Sequence, residues 1–222
     1  MTLVTREAFD TLASETLTET VPWLRNQTFA QIGSWTTWAE QTTGDTSWSR
    51  DTSAMTWGDL GGRLHNRVVF VTLNKGSGTV QDPAADWASF HSGTHDYLLA
   101  EAIGQPGIQE VFGGAYITDF FKGLPPSTTG SLNLLLDSLS AIAQARTVQA
   151  MEALLERELH ILGCERPLLI GVGRDAERWL RKRMNSFRVV GISHYEDVEC
   201  PDAYARELKR AAMFVSSRTV RA

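Results

Sequence analysis

Four runs of apolar residues along the chain predict the strands of a β-sheet. The first run, residues 68–73, reads VVFVTL and lacks the alternation of a half-exposed strand. Such a run is typical of a central strand that helices cover on both faces. Three further runs predict strands at residues 115–121, 167–172 and 187–192.

Segments with a helical spacing of apolar residues separate and flank these strands. They predict helices at residues 7–17, 96–103, 132–145 and 148–162, with two more that begin near Asp175 and Pro201. Strands that alternate with helices imply right-handed crossovers and a parallel sheet. The pattern therefore predicts an α/β fold, namely a single three-layer domain with a central, mostly parallel four-stranded sheet.

The first 66 residues show no comparable periodicity but are rich in tryptophan. Five of the seven tryptophans lie there, and they are Trp23, Trp35, Trp38, Trp48 and Trp57. Because tryptophan buries a large area, we expect most of them to hold a loop-rich segment in place, with a stacking surface for bases or sugars as the alternative. No shift in composition marks a boundary, so residues 1–222 are predicted to form one domain with a Trp-rich N-terminal extension at 1–66.

The composition is that of a soluble globular protein, with 42% hydrophobic and 21% charged residues among 222. Two cysteines, Cys164 and Cys200, are too few for a disulfide framework, which favours a reducing compartment. The N-terminus lacks a basic region followed by an apolar segment, and no apolar run approaches the ~20 residues of a membrane span. These features predict a cytoplasmic protein that has no membrane partner.

The net charge of −5 is unevenly distributed along the chain. Residues 174–222 carry 11 Lys and Arg against 7 Asp and Glu, whereas residues 1–173 carry 10 against 19. A phosphate-bearing partner would prefer the C-terminal part, where four cations cluster. These four are Arg178, Arg181, Lys182 and Arg183. The alternative interpretation, which we favour, is a solvated helix face.

Two short motifs have both a functional and a structural interpretation. Residues 171–176 read GVGRDA, which has the G-x-G-x-x-A form of a dinucleotide site, but this turn follows the third predicted strand rather than the first. A tight strand-to-helix turn is the preferred interpretation. His91 and His95 have the spacing of metal ligands on a helix, but Gly93 intervenes and no third ligand is evident, so no metal site is predicted.

Polar residues stand at the ends of three predicted strands. Asn74 follows the first, Asp119 lies near the end of the second, and His194 follows the fourth. Carboxyl ends of parallel strands meet at one edge of a sheet, and ligands of open α/β sheets bind there. The two glycines of NKGSG, at residues 74–78, would let a ligand approach the main chain. The sequence therefore predicts a ligand site at this edge.

The motifs at these strand ends together resemble those of the uracil-DNA glycosylase superfamily. In this chain they read LNKG at residues 73–76, TD at 118–119, GVGRDA at 171–176 and HYE at 194–196. The resemblance extends from about residue 67 to residue 210. It is closest to branches whose first motif reads G-x-N-P-G, and to a bacterial group of unclear activity with GAY-x-TD and HY motifs.

The resemblance implies two catalytic residues and a pocket for a flipped base. Asn74 matches the residue that positions the attacking water, and His194 matches the histidine that stabilises the departing base. An aromatic ring after the first motif would stack on the base. The implied substrate-binding residues are Gly76, Trp87 or Phe90 as that ring, Asp119 in place of the Asn that reads the base edge, and Ser193. No cofactor is expected.

Three departures from the family pattern affect the predicted activity. Lys75 replaces a proline, Asp119 replaces the base-reading Asn, and Tyr195-Glu196 replaces Pro-Ser after the histidine. A carboxylate would repel the O4 acceptor of uracil but could accept a hydrogen bond from an exocyclic amine. The predicted function is nucleobase or nucleotide binding, with hydrolysis of an N-glycosidic bond as the reaction and DNA or a nucleobase-containing small molecule as partner. The alternative is a non-catalytic member of the fold that binds a nucleotide or a protein, which the acidic chain favours.

Overall fold

The computed structural model describes residues 3–17, 27–38, 56–74, 86–91, 96–124 and 129–216. Within these ranges the strands are β1 (Ser34–Trp35), β2 (His65–Asn74), β3 (Ala115–Phe121), β4 (Leu168–Val172) and β5 (Arg188–Ile192). The helices are α1 (Arg6–Ser14), α2 (Phe29–Ile32), α3 (Trp57–Leu60), α4 (Asp96–Gly104), α5 (Gln109–Phe112), α6 (Thr129–Ser138), α7 (Ala141–Ile161), α8 (Arg174–Arg183) and α9 (Pro201–Ser216). A 3₁₀ turn, Tyr195–Asp197, precedes α9.

The described residues form a mixed sheet of five strands in the order β1-β3-β2-β4-β5. Strands β2 to β5 are parallel, and β1 is antiparallel to β3 at the edge. The prediction of an interior strand at 68–73 is confirmed, because β2 lies between β3 and β4. The prediction of four strands is wrong by one. Strand β1 has only two residues, too few to produce a periodic pattern in the sequence.

Helices cover both faces of the sheet. Alternate residues of β2 contact different layers, so that Val69 packs with α1, α7 and α8, whereas Phe70 packs with α4, α5 and α9. We call these the α7 face and the α9 face. Both Val69 and Phe70 are fully buried. Burial on two faces explains why residues 68–71 of β2 are apolar without alternation.

Helix α7 begins at Ala141, seven residues before the start that the apolar pattern predicted. The predicted helices 132–145 and 148–162 are in fact α6 and a longer α7, with the break at Leu139 and Ser140. The Ser140 hydroxyl accepts a hydrogen bond from the Ala143 backbone N–H at 3.3 Å and so caps the first turn of α7. In the described part of the chain, no helix is long and apolar enough to span a membrane.

Aromatic side chains join the N-terminal segment to the sheet. Trp35 of β1 is fully buried and lies 6.1 Å from Phe9 of α1 and 5.0 Å from Tyr116 of β3, measured between ring centroids. Phe9 also contacts Trp57 at 5.6 Å. The expected structural role is confirmed for Trp35, and Trp23 and Trp48 lie outside the described residues.

Candidate ligand site at the carboxyl edge of the sheet

The carboxyl ends of β2 to β5 lie at one edge of the sheet because these strands are parallel. From β2 the chain continues to β3 on one side and then crosses to β4 on the other. The strand order therefore reverses between β2 and β4. In open α/β sheets this is the place where ligands bind, in the crevice beyond the strand ends.

Asn74 is the last residue of β2 and is half-buried. In the parallel register it lies opposite Phe121, and Thr72 lies opposite Asp119. Side chains alternate along a strand, so Asn74 and Thr72 lie on the α9 face together with Phe70. Lys75 and Gly76, the next residues of the predicted site, lie outside the described residues.

Asp119 is a buried carboxylate, with 7% of its surface exposed. The Thr72 hydroxyl donates a hydrogen bond to Oδ1 of Asp119, and the Nζ of Lys122 donates to the Asp119 backbone carbonyl. Both the strand and the carboxylate are therefore held in place. The Asp119 side chain lies two residues before the end of β3, on the same face of the sheet as Asn74.

Ser193 and His194 follow β5 at the same edge. The backbone N–H of Ser193 donates to Oε2 of Glu207 at 2.6 Å, and its hydroxyl donates to Oε1 at 2.9 Å. The His194 ring lies against Tyr195, with 4.1 Å between ring centroids. Gly173, at the end of β4, lies close to His194, because a Cβ added there would be 3.5 Å from the His194 Cβ. The edge thus brings the ends of β4 and β5 into contact.

Glu207 of α9 is a residue of this edge that the sequence analysis did not identify. Burial, and to a lesser degree the Glu207 charge, raises the pKa of the neighbouring Tyr204. Tyr204, Leu208 and Ala211 form the buried stripe of α9. Glu207 lies three residues after Tyr204, which places a carboxylate beside this apolar stripe. That spacing is the signal by which the sequence could have revealed it.

The two aromatic residues proposed for base stacking lie in different layers. Trp87 is 2% exposed and packs with the α7-face core, 4.9 Å from Phe9 and 5.5 Å from Trp35 between ring centroids. Phe90 is half-buried and packs against the α9-face core. Asn74 and Asp119 lie on the α9 face as well. A stacking role for Trp87 does not fit its position in the core, and Phe90 is the remaining candidate.

The glycines of the GVGRDA motif have structural explanations. A Cβ at Gly171 would lie 2.6 Å from the Glu177 Cα, so glycine permits α8 to approach the sheet closely. Gly173 has a φ of 92°, a conformation that favours glycine, and it caps the start of α8. These features agree with the tight strand-to-helix turn that the sequence analysis preferred.

The basic cluster of α8 is engaged within the protein. Arg178 pairs with Asp175 at 2.5 Å, Arg181 with Glu177 at 2.7 Å and Arg183 with Glu152 at 2.6 Å; Lys182 lies over the Trp179 ring. Helix α8 begins at the carboxyl edge and runs away from it. The last turn, with Arg181 to Arg183, therefore lies away from the candidate site. This arrangement favours the solvated helix face.

His91 has a hydrogen-bonding partner within the protein. It is buried, and its Nε2 lies 2.8 Å from the Ser34 Oγ. Burial lowers the pKa of His91 to about 4. His95 lies outside the described residues, and the described residues contain no group of three or more His, Cys, Asp or Glu side chains suited to a metal ion.

Two comparisons with known proteins found no match. No protein-family model matches the chain, and a search of curated proteins finds no similar sequence. The functional interpretation therefore depends on the geometry of the carboxyl edge and on the motifs that lie there.

Proposed function

We propose that the protein binds a nucleobase-containing ligand at the carboxyl edge of its sheet and hydrolyses the N-glycosidic bond of a damaged or deaminated base. The observation that carries this proposal is the position of Asn74, Asp119 and His194. Each lies at or near the end of a parallel strand, and one of these strands, β2, borders the point where the strand order reverses. An architecture like that of uracil-DNA glycosylases is part of the proposal.

Each residue has a role that its chemistry permits. Asn74 holds the attacking water, since an amide both donates and accepts hydrogen bonds. His194 donates a hydrogen bond to the departing base and stabilises its negative charge. Phe90 stacks on the base from the α9 face, where it is half-buried. Duplex substrates would require the base to leave the helix.

Asp119 selects the base. An ionised carboxylate accepts hydrogen bonds but does not donate them, so it favours a damaged base that keeps an exocyclic amine, as cytosine does, over a deaminated base such as uracil. Thr72 occupies Oδ1, which restricts the orientation of the carboxylate toward a ligand. An Asp119→Asn variant removes the charge and supplies a donor. Its preference should move toward uracil, by roughly the 1–3 kcal/mol that a bidentate contact contributes.

Calorimetric titration of the wild type and of Asp119→Asn with cytidine and uridine measures this preference. Asp10→Asn, at an exposed position of α1, is the matched control because it makes the same chemical change outside the proposed site. Identical profiles for wild type and Asp119→Asn would show that Asp119 is structural.

The catalytic part is tested by single-turnover release of a base from oligonucleotides. His194→Ala and Asn74→Ala should each lower the rate by roughly 10²–10⁴-fold, the range for a positioned polar or acid–base group. His160→Ala serves as the control, because His160 is an exposed histidine near the end of α7. Base release that is unaffected by both edge substitutions would contradict the assigned roles.

Non-catalytic binding is the second candidate, and Glu207 favours it. Its carboxylate accepts both donors of Ser193, where the resembled family grips the DNA backbone. A negative charge at that point disfavours a phosphate. If wild-type protein releases no base from single- or double-stranded substrates with uracil, hypoxanthine or mismatches, binding without catalysis becomes the better account.

A further inference from the structure

A group of polar side chains lies buried on the α7 face, directly behind Asp119. Lys122 and Glu158 are both fully buried, and the Lys122 Nζ is 2.8 Å from the Glu158 Oε2. The hydroxyls of Tyr116 and Thr118 each donate to the Glu158 Oε1 at 2.9 Å. We call Tyr116, Thr118, Lys122 and Glu158 the buried ion-pair cluster.

The cluster attaches the end of β3 to α7. Tyr116 and Thr118 belong to β3, Lys122 follows its last residue, and Glu158 belongs to α7. The backbone N–H of Lys122 also contacts α7, because it donates to the Met151 Sδ at 3.2 Å. The strand is therefore held from behind on both sides of residue 119.

Lys122 links this cluster to Asp119 itself. Its Nζ donates to the Asp119 backbone carbonyl in addition to pairing with Glu158. On the opposite face, the Thr72 hydroxyl donates to the Asp119 carboxylate. The backbone and the side chain of Asp119 are thus fixed from the two faces of the sheet by charged or polar groups.

The need for stability does not explain the presence of an ion pair here. Removing two charges from water costs free energy that their attraction does not always recover, and apolar replacements of similar size are often as stable. An apolar pair would, however, lack the hydrogen bond that Lys122 donates to the Asp119 carbonyl. The charged pair supplies a directed hydrogen bond at that position.

We propose that Lys122 and Glu158 are positioning residues that set the orientation of the Asp119 carboxylate and thereby the choice of base. The choice of base rests on the function proposed above. The orientation of Asp119 does not depend on that function, and the experiment measures the orientation and the choice of base separately.

The test compares the double variant Lys122→Met/Glu158→Leu with the wild type. Either single variant should lose stability, because it leaves one buried charge unpaired. The double variant leaves no buried charge unpaired, so its midpoint of urea unfolding should be close to that of the wild type. The ¹³C signal of the Asp119 Cγ should nevertheless move. The ratio of cytidine to uridine affinity should fall roughly tenfold.

A double variant with unchanged Asp119 signals and an unchanged affinity ratio would overturn the inference and leave the cluster a structural role only. If wild-type protein binds neither cytidine nor uridine, the proposed base choice fails, and the Cγ signal alone decides whether the pair positions Asp119.

If the double variant does not fold, Glu158→Gln is tested in its place. The change keeps the size of the side chain and an acceptor oxygen but removes the charge. Glu152→Gln, on the same helix, is the matched control, since Glu152 pairs with Arg183 of α8 at 2.6 Å. Movement of the Asp119 Cγ signal in Glu158→Gln but not in Glu152→Gln supports the inference; equal movement in both variants overturns it.

Discussion

The buried ion-pair cluster and the polar residues of the carboxyl edge differ in their exposure to water. On the α7 face, the buried ion-pair cluster has no exposed member; Lys122 and Glu158 are fully covered. At the carboxyl edge, Asn74, Ser193 and His194 are all half-buried. The interior cluster is closed to solvent, whereas the edge residues keep surface through which a ligand can reach them.

This difference assigns separate functions to the two groups. A buried charge must be paired within the protein, so the interior cluster is committed to its partners. A half-buried residue can exchange water for a ligand without leaving a polar group unsatisfied in the core. In the proposed function, the interior cluster therefore sets the geometry of Asp119 and the edge binds the ligand. The following predictions test that division, from the largest expected effect to the smallest.

Lys122→Met should produce the largest loss of stability, because it leaves the Glu158 carboxylate buried without its cation. We expect a loss of ~3–5 kcal/mol, measured by urea unfolding at pH 7.5. Burial already raises the pKa of Glu158, against the opposing effect of Lys122. Without Lys122 that pKa rises further, so the folded variant binds a proton that the unfolded chain releases. The deficit relative to the wild type should therefore shrink as the pH falls toward 5 and grow as it rises.

Arg183→Met is the matched control, since Arg183 pairs with a different glutamate of α7 but is partly exposed. It should cost less than about 1 kcal/mol, as exposed pairs do. A Lys122→Met variant no less stable than Arg183→Met would contradict the division between a closed interior and an open edge.

The interior should also make the protein sensitive to acid, through two buried histidines. The pKa of His91 is lowered to about 4 by burial, and that of His65 to about 4 by burial and by nearby Arg67. In the unfolded chain the pKa of histidine is about 6.5, so below this pH the unfolded state binds protons that the folded state does not bind. Stability is complete above pH 6.5 and is lost as the pH falls toward 4, by up to about 3 kcal/mol for each residue.

His91→Gln should lose less stability over that interval than the wild type, because it removes one of the two titrating groups. Urea unfolding at a series of pH values measures the slope. His160→Gln, at an exposed position, should retain the full slope. An unchanged slope in His91→Gln would show that His91 does not contribute to acid sensitivity.

Gly33→Ala tests how tightly the interior cluster is packed. A Cβ at residue 33 would lie 2.7 Å from the Tyr116 Cζ and 3.2 Å from the Phe29 carbonyl oxygen. The Tyr116 hydroxyl, which donates to Glu158, would have to move. We expect a loss of about 1–3 kcal/mol in thermal or urea unfolding.

Gly104→Ala is the control, because a Cβ there meets nothing within 4 Å. Adding Tyr116→Phe to Gly33→Ala should recover part of the loss, since the clashing hydroxyl is absent. Full additivity of the two substitutions would mean that the hydroxyl and the glycine do not interact.

The sequence predicted the strands well because their signal is local. Strands β2, β4 and β5 each contain a continuous apolar run, and the predicted residues 115–121 coincide with β3. Polar residues at strand ends were therefore assigned correctly to one edge. The two-residue β1 could not be predicted, because its pairing with β3 depends on the burial of Trp35 among aromatic rings distant in the chain.

The residues that support the edge were missed because their partners are distant in sequence. Glu158 lies 36 positions after Lys122, and Glu207 lies 14 positions after Ser193. Nothing in the local sequence identifies the distant partners of these glutamates. The position of Trp87 after the first motif was equally compatible with either face of the sheet, and the aromatic core around Phe9 decides it.

The smallest expected effect is that of Glu207→Gln at the open edge. Glutamine keeps an acceptor oxygen for Ser193 but removes the charge, and the site is only half-buried, so stability should fall by about 1 kcal/mol or less. The lost negative charge should strengthen binding of a single-stranded oligonucleotide, by roughly two- to fivefold at low salt and less at high salt.

Fluorescence anisotropy at two salt concentrations measures this change, with Glu156→Gln on the exposed side of α7 as the charge-matched control. If the oligonucleotide affinity rises equally in Glu207→Gln and Glu156→Gln, only net charge affects binding. A rise confined to Glu207→Gln places the nucleic acid at the Ser193 edge. A large loss of stability in Glu207→Gln would instead make Glu207 part of the interior and break the comparison between the two polar groups.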